Sequence, residues 1–198
     1  MKAMESKSDK KKRMITAGLE IMYRKGYNAT GIQEIVDNAG VPKGSFYNYF
    51  KNKEAFAVEI LDHYTGEMLA RQETLLSDAS IAPLARIESL YKAFVDAYLR
   101  EGAFCLGCFA ANLSQEMGDT SEAIRRAAEA SIARMTGPVE ACLIEARERG
   151  DISIVYDASI LAVYIQNSWL GALMRMKASK SGQSLKIFLE VLGKVILR

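Results

Sequence analysis

The sequence predicts an all-α protein of about nine helices. The chain has 198 residues, of which 49% are hydrophobic, enough for a buried core. It contains only three prolines, and apolar residues recur at helical spacing along most of its length. We expect two parts, a helix-turn-helix domain over residues 1–53 and a larger helical domain over residues 54–198.

The first predicted helix runs from about Ser8 to Lys25. Ile15, Leu19 and Met22 recur at the i, i+4, i+7 spacing of one helical face. Gly26 follows as a stop signal, because glycine readily adopts the left-handed conformation that ends helices.

Two short helices should follow. Thr30 and Gln33 have the spacing of a capping box, in which each side chain satisfies a free backbone amide at the helix start. The helix that they open ends at Gly40, and Pro42 suits the first position of a third helix reaching about Tyr49. Two short helices joined by residues 38–41 form a helix-turn-helix.

The rest of the chain predicts six more helices. Their expected ranges are about 52–76, 83–102, 105–117, 121–150 with a kink at Gly137–Pro138, 157–174 and 185–197.

Charge is distributed unevenly along the chain. Residues 1–53 carry 11 Lys/Arg and 5 Asp/Glu, whereas residues 54–198 carry 15 and 19. A basic amino-terminal part suits a polyanion such as DNA. By charge alone, a solvated basic tail at Lys10–Arg13 explains the excess equally well.

The segment from Pro42 to Lys53 has the character of a DNA-reading helix. Lys43 at the helix start can reach bases or phosphates, and Gly44 and Ser45 allow close approach to the groove. Between the apolar Phe46 and Phe50 stand three residues whose polar tips can face outward: Tyr47, Asn48 and Tyr49. Lys53 and the Thr30 hydroxyl would hold phosphates on either side, and Gln33 lies on the same part of the motif. Each of these residues also has an explanation without DNA: Tyr47 and Tyr49 could be ordinary half-buried aromatic residues, and Lys53 a solvated lysine at a helix cap.

Several of these residues form a recognisable pattern: Gly26, Thr30, Ile35, Ala39–Val41, Lys43–Ser45, Phe46–Tyr47, Tyr49–Phe50 and Lys53–Glu54. With it, residues 8–56 resemble the DNA-binding domain of the TetR/AcrR family of one-component repressors. Val36 departs from the pattern, since many members have alanine there. The resemblance implies an all-helical homodimer without catalytic activity, whose paired recognition helices bind a palindromic double-stranded operator. It also implies release by a small-molecule effector.

The stretch from Ala158 to Met174 is uncharged over 17 residues. Gln166, Asn167 and Ser168 at its middle would be penalised in lipid, so we expect a helix buried in protein rather than a membrane span. An apolar surface on several faces needs more than one covering partner. We therefore predict a four-helix dimer interface formed by this helix and the last helix of each chain, with a monomer as the alternative.

Cys105 and Cys108 have a spacing that suits redox chemistry or a metal. Zinc is disfavoured, since His63 is the only histidine and Cys142 the only other thiol, so we expect no metal and no cofactor. A helix beginning near Cys105 would favour the thiolate form, which makes a thiol sensor possible. The alternatives are two small core residues or, as a different function, a cysteine-based redox protein.

A second resemblance concerns residues 107–116 with Ser121, Glu122 and Arg125. They are similar to a TetR subgroup that includes the repressor of N-ethylmaleimide reductase, which senses electrophiles and oxidants through cysteine. In that match Cys108 takes the place of the sensor cysteine. A reversible ligand would instead occupy an apolar cavity, for which the aromatic residues provide walls: Tyr64, Phe94, Tyr98, Phe104, Phe109 and Trp169. The lack of an export signal and the three cysteines favour a cytoplasmic protein.

Overall fold

The computed structural model describes residues 7–152 and 157–197. Over these residues the fold is all-α and contains no strand, as the sequence predicted. Nine α-helices and a final π-helical turn follow in order: α1 Lys7–Lys25, α2 Ile32–Asn38, α3 Lys43–Tyr47, α4 Lys53–Leu76, α5 Pro83–Glu101, α6 Phe109–Met117, α7 Glu122–Glu148, α8 Ala158–Ser179, α9 Gln183–Val191 and the turn Leu192–Ile196.

The helices form two compact units. Of the described residues, one unit contains 7–65 and 109–131, and the other contains 66–108, 132–152 and 157–197. The first unit therefore contains α6 as well as the helix-turn-helix. The domain boundary expected at residue 53 stays a prediction.

An aromatic cluster forms the core of the first unit. Phe46, Phe50 and Phe56 are at most 2% exposed, and their rings lie 4.6–5.1 Å apart. Gly18 on α1 faces this cluster so closely that a Cβ atom there would lie 2.4 Å from the Phe56 ring. Dense aromatic packing thus holds α1, α3 and α4 together behind the outward side of α3.

The predicted capping box is wrong. The residue that caps α2 is Gly31, and no side chain bonds the free amides there. Thr30 instead donates its hydroxyl proton to the Gly26 carbonyl at 2.7 Å, and Gln33 donates to Asp37 one turn further along the helix at 2.8 Å. Both side chains therefore form hydrogen bonds within their own segment, and neither caps the amino-terminal end of α2.

A second aromatic cluster lies in the other unit, where α5, α8 and α9 meet. Tyr91 is 2% exposed and packs edge-on against Trp169 at 5.4 Å and Phe188 at 5.0 Å between ring centroids.

Arg86 on α5 forms a second set of contacts in this unit, and its side chain is only 5% exposed. Its guanidinium donates hydrogen bonds to the Leu76 carbonyl at 2.7 Å and to the Glu145 carboxylate. These two bonds join α5 to α4 and to α7.

Several predicted helix limits differ from the observed ones. Helix α6 begins at Phe109 rather than near Cys105, because residues 103–108 form turns that include Gly107 at φ +72°. Helix α7 continues as an α-helix through Pro138, α8 extends to Ser179, and α9 gives way to the π-helical turn after Val191. Within the described ranges, no helix combines the length and apolar character needed to cross a membrane.

Candidate DNA-reading surface and effector site

In α3 and the residues that follow it, the two phenylalanines face the core and Tyr47 and Asn48 face solvent, as the sequence predicted. Phe46 is 0% exposed and Phe50 2%, whereas Tyr47 is 57% exposed and Asn48 is also exposed. The Tyr47 ring forms a T-shaped contact with the Phe46 ring, at 5.4 Å between centroids. The phenol of Tyr47 and the amide of Asn48 are therefore available to a molecule docked against this helix.

The start of α3 is open to close approach. Lys43 and Gly44 are exposed, and a Cβ atom added to Gly44 would meet nothing within 4 Å. Ser45 is half-buried and its amide donates to the Pro42 carbonyl at 2.8 Å. Tyr49 is also half-buried, with its ring 6.2 Å from that of Phe50. A duplex could thus approach the amino-terminal end of α3 without displacing side chains.

The predicted phosphate contacts have partners within the protein. Thr30 is 2% exposed and already donates its hydroxyl proton to Gly26. The Lys53 ammonium donates to the Tyr27 carbonyl at 2.5 Å and lies 4.1 Å from the centroid of the Tyr27 ring. Burial lowers the pKa of Lys53, although the nearby Glu116 carboxylate opposes that shift. DNA contacts by Thr30, Gln33 and Lys53 stay predictions.

Glu116, near the end of α6, is a residue that the sequence reasoning missed. Its carboxylate accepts hydrogen bonds from the Tyr27 amide at 2.8 Å and the Asn28 amide at 2.6 Å. Burial raises the pKa of the Tyr27 phenol, and the carboxylates of Glu54 and Glu116 add to that shift. These contacts span 88 and 89 residues, so no local pattern could have indicated them.

The three cysteines are free thiols in different surroundings. Cys105 is exposed, while Cys108 and Cys142 are buried. Cys108 immediately precedes α6 and is 7% exposed. Burial raises the pKa of the Cys142 thiol, an effect that the positive charge of Arg86 partly offsets. Of the two sensor candidates, Cys105 is therefore the more accessible.

The aromatic residues predicted to wall one cavity include members of both compact units. Tyr64 and Phe109 pack with Tyr23 in the first unit, at centroid distances of 5.5–6.0 Å. Phe94, Tyr98 and Trp169 pack together in the second unit, at 6.2 Å. Phe104 is half-buried in that second unit. A cavity walled by these six residues stays a prediction.

An open cavity of about 400 Å³ lies elsewhere in the second unit. Helices α4, α5 and α7 supply most of its walls, which are mainly apolar, and Arg86, Cys142 and Glu145 add polar atoms. The remaining lining residues are Leu69, Glu73, Leu76, Ser77, Pro138 and Ala141. None of the predicted wall residues lines this cavity.

Helices α8 and α9 present apolar side chains to solvent. Ile160, Val163, Tyr164 and Met174 on α8 are each at least 50% exposed, and their spacing places them on one helical face. Ile187 on α9 is 52% exposed, and Val191 and Val195 are 40% and 70% exposed. Apolar residues clustered in this way are typical of a surface that another molecule covers.

Comparison with known proteins gives two family matches. Residues 14–60 match the model for bacterial regulatory proteins of the tetR family. Residues 83–192 match the model for the tetracyclin repressor-like C-terminal domain. Together the two models cover most of the described chain, including α3 and the exposed faces of α8 and α9.

Similar proteins match over nearly their whole length. The HTH-type transcriptional repressor DhaR of Mycobacterium sp. strain GP1 is 30% identical over 93% of this chain and 90% of its own. The transcriptional regulator AcuR of Cereibacter sphaeroides is 33% identical over 91% and 82%. The crystal structure of reduced Escherichia coli NemR superposes with a TM-score of 0.83 at 28% identity, covering 96% of this chain and 97% of that one. These relatives are transcriptional regulators rather than enzymes, and the chain belongs to the TetR family of bacterial transcriptional regulators.

Proposed function

We propose that this chain is a ligand-responsive repressor that binds a palindromic DNA operator as a homodimer. A small apolar or thiol-reactive effector would release it from the operator. The observation that carries the proposal is the orientation of α3, where Tyr47 is 57% exposed beside the fully buried Phe46. An exposed aromatic residue followed by an exposed asparagine has little use on a solvated helix but suits contacts to base edges.

Exposed basic residues next to α3 support phosphate contacts. Lys43 at its start and Lys51, in the segment between α3 and α4, are both exposed. Such contacts fix the position of a protein on the duplex, while the side chains between them read the bases. We therefore assign phosphate binding to Lys43 and Lys51, and base reading to Ser45, Tyr47 and Asn48, with Gly44 allowing close approach. Tyr49, half-buried, would support the reading face.

The DNA-binding proposal is tested by selecting sequences from a pool of randomised duplexes. We expect the parent chain to enrich an inverted repeat. Tyr47→Ala should then bind the enriched duplex about 5- to 150-fold more weakly, which corresponds to the loss of one good base contact. Ile81→Ala is the matched control, because Ile81 is also an exposed apolar residue, at 40%, but lies outside the reading surface. A lack of enrichment, or equal affinities of parent and Tyr47→Ala, would refute the proposal.

The exposed apolar face of α8 and α9 supports the homodimer. Gly171 lies on the same face of α8 as Val163 and Met174, and an added Cβ atom there meets nothing within 4 Å of the protomer. Gly66 on α4 is equally exposed and equally open. A charged side chain at either glycine is thus tolerated by a single chain, but at 171 it would be buried against a partner.

Sedimentation of the two matched variants tests the dimer. We expect the parent and Gly66→Lys to sediment as dimers and Gly171→Lys as a monomer. Circular dichroism should report the same helicity for all three proteins. A monomeric parent, or a dimeric Gly171→Lys, would show that α8 does not form the interface.

Two effector routes are supported by different observations. Cys108 lies directly before α6 and matches the sensor cysteine of the subgroup that the sequence resembles. The cavity of about 400 Å³ between α4, α5 and α7 falls within the size range of small-molecule sites, roughly 300–1,000 Å³. The first route requires a thiol-reactive effector and the second an apolar one.

N-ethylmaleimide distinguishes the two routes. If Cys108 is the sensor, the reagent should release the parent and Cys105→Ser from DNA but leave Cys108→Ser bound. Equal release of the parent and Cys108→Ser would remove Cys108 from the mechanism. If all three stay bound, the apolar route is favoured, and Ala141→Trp, which places a large side chain in the cavity lining, should abolish the response to an apolar effector. We place this regulation in the cytoplasm, where bacterial DNA lies.

A further inference from the structure

The turn between α1 and α2 is held by a residue from outside the helix-turn-helix. Both oxygens of the Glu116 carboxylate accept backbone amides of this turn, Oε2 from Tyr27 and Oε1 from Asn28. Hydrogen bonds to an ionised carboxylate are among the stronger ones in proteins. Two of them on adjacent residues fix both the position and the direction of the turn relative to α6.

Three further contacts complete this arrangement. The Lys53 ammonium donates to the Tyr27 carbonyl at 2.5 Å, on the opposite side of the same residue. The Thr30 hydroxyl donates to the Gly26 carbonyl at 2.7 Å. Gly26 itself has φ +88° and lies so near Glu116 that a Cβ atom would come within 2.8 Å of Oε2. We call Glu116, Lys53 and the turn residues 26–28 the turn clamp.

The turn clamp bears on DNA reading because α2 begins only a few residues beyond it. Helix α2 starts at Ile32 and packs against α3, so the direction in which the chain leaves residue 28 contributes, together with the aromatic core, to where α3 points. All members of the clamp belong to the same compact unit. A displacement of α3 by about 1 Å would weaken its bonds to base edges considerably, since hydrogen bonds depend steeply on distance and angle.

We propose that Glu116 is a positioning residue for operator binding, which acts by clamping the α1–α2 turn and thereby orienting α3. The inference rests on the proposed DNA-binding function. It assigns to α6 an indirect part in reading the operator, through the position of α3. It also gives Lys53 an internal role in place of the phosphate contact that the sequence suggested.

The sign of the expected effect separates this proposal from simple electrostatics. Replacing Glu116 with glutamine removes a negative charge from a DNA-binding unit, and a more positive protein binds a polyanion more tightly. The turn clamp predicts the opposite, because the amide of glutamine offers one acceptor oxygen where the carboxylate offers two. Weaker DNA binding by Glu116→Gln, in spite of its lower negative charge, would therefore support the turn clamp over simple electrostatics.

The experiment compares Glu116→Ala, Glu116→Gln and Asp119→Asn with the parent on the selected operator duplex. Asp119 is exposed and lies just beyond α6, so its variant removes the same charge without touching the turn. Fluorescence anisotropy gives the affinities, and hydrogen–deuterium exchange of the peptide containing residues 26–28 reports on the clamp without DNA. Thermal unfolding of each variant reports on global stability.

We expect Glu116→Ala to bind about tenfold or more weakly, Glu116→Gln to fall between it and the parent, and Asp119→Asn to bind at least as tightly as the parent. Exchange should increase at residues 26–28 while the peptide of the buried Ile35 keeps its protection. Should Glu116→Ala fail to fold, Glu116→Gln and its exchange pattern decide the question.

Three results would overturn the proposal. The first is parent-like affinity of both Glu116 variants. The second is unchanged exchange at residues 26–28. The third is loss of protection throughout the first unit, which would make Glu116 a general stabilising residue. If the parent itself binds no duplex, it is the DNA-binding function that fails, and the exchange data still judge the contact between Glu116 and the turn.

Discussion

The close approach of α1 to the aromatic core allows a quantitative prediction for Gly18→Ala. The added methyl group would lie 2.4 Å from Cζ of Phe56 and 2.9 Å from Cδ1 of Ile60, whereas ordinary contacts between carbon atoms are about 3.5–4.0 Å. Phe56 is 0% exposed and its ring is packed against Phe46 and Phe50. The ring cannot retreat without displacing the side chains that support α3.

Two opposing effects determine the magnitude. Overpacking of a buried core costs about 1–3 kcal/mol, and alanine is favoured over glycine in a helix interior by about 1 kcal/mol. Because the neighbour is a rigid ring without free space, we expect net destabilisation of about 1–2 kcal/mol. For a chain of this size that lowers Tm by roughly 2–8 °C, and operator affinity should fall with it.

Gly66→Ala is the matched control. Gly66 also lies inside a helix, but a Cβ atom there meets nothing within 4 Å. Only the helix preference then operates, and this variant should gain about 0.5–1 kcal/mol. Thermal and urea unfolding measure both variants. If Gly18→Ala were as stable as Gly66→Ala, the described packing of α1 on Phe56 would be refuted.

Further predictions concern charged groups. A plot of log K for DNA binding against log salt concentration should be less steep for Lys43→Met than for the parent by about 0.9, as expected for the loss of one phosphate contact. Lys53→Met should weaken binding but leave this slope unchanged. A reduced slope for Lys53→Met would mean that Lys53 does contact a phosphate. Arg86→Met should destabilise the protein by about 1.5–3 kcal/mol through loss of the charged hydrogen bond to the Leu76 carbonyl. The ion pair with Glu145 should add a smaller contribution that depends on pH. Arg86 holds the pKa of Glu145 below its usual 4.5, so the pair stabilises the fold above pH 4.5, and part of the difference between parent and variant in urea unfolding should disappear as the pH falls below that value. A difference that stays constant with pH would show that the ion pair adds nothing to the loss of the Leu76 bond.

Local sequence signals sufficed for the helices and for the outward side of α3. Apolar periodicity and the stop signals at Gly26 and Gly40 act within a few residues, and both glycines have the positive φ that such ends require. The alternation of Phe46 and Phe50 with polar neighbours follows from the helical period alone. These features were therefore predictable from short windows of sequence.

Contacts between distant residues account for what the sequence did not reveal. The capping box failed because Thr30 finds the Gly26 carbonyl, a competing local acceptor that the spacing does not exclude. The role of Glu116 depends on a contact across 89 residues. The ring contacts of Tyr64 with Phe109 and of Phe94 with Trp169 likewise join different helices, so no short stretch of sequence specifies them.

The measurement that tests the central claim most directly is a duplex selection repeated with Asn48→Ala. If the exposed side chains of α3 read the bases, the variant should enrich a sequence that differs from the parent's at one position, and at the symmetry-related position of the other half-site. An identical preferred sequence for both proteins, bound with equal affinity, would mean that α3 does not read the operator.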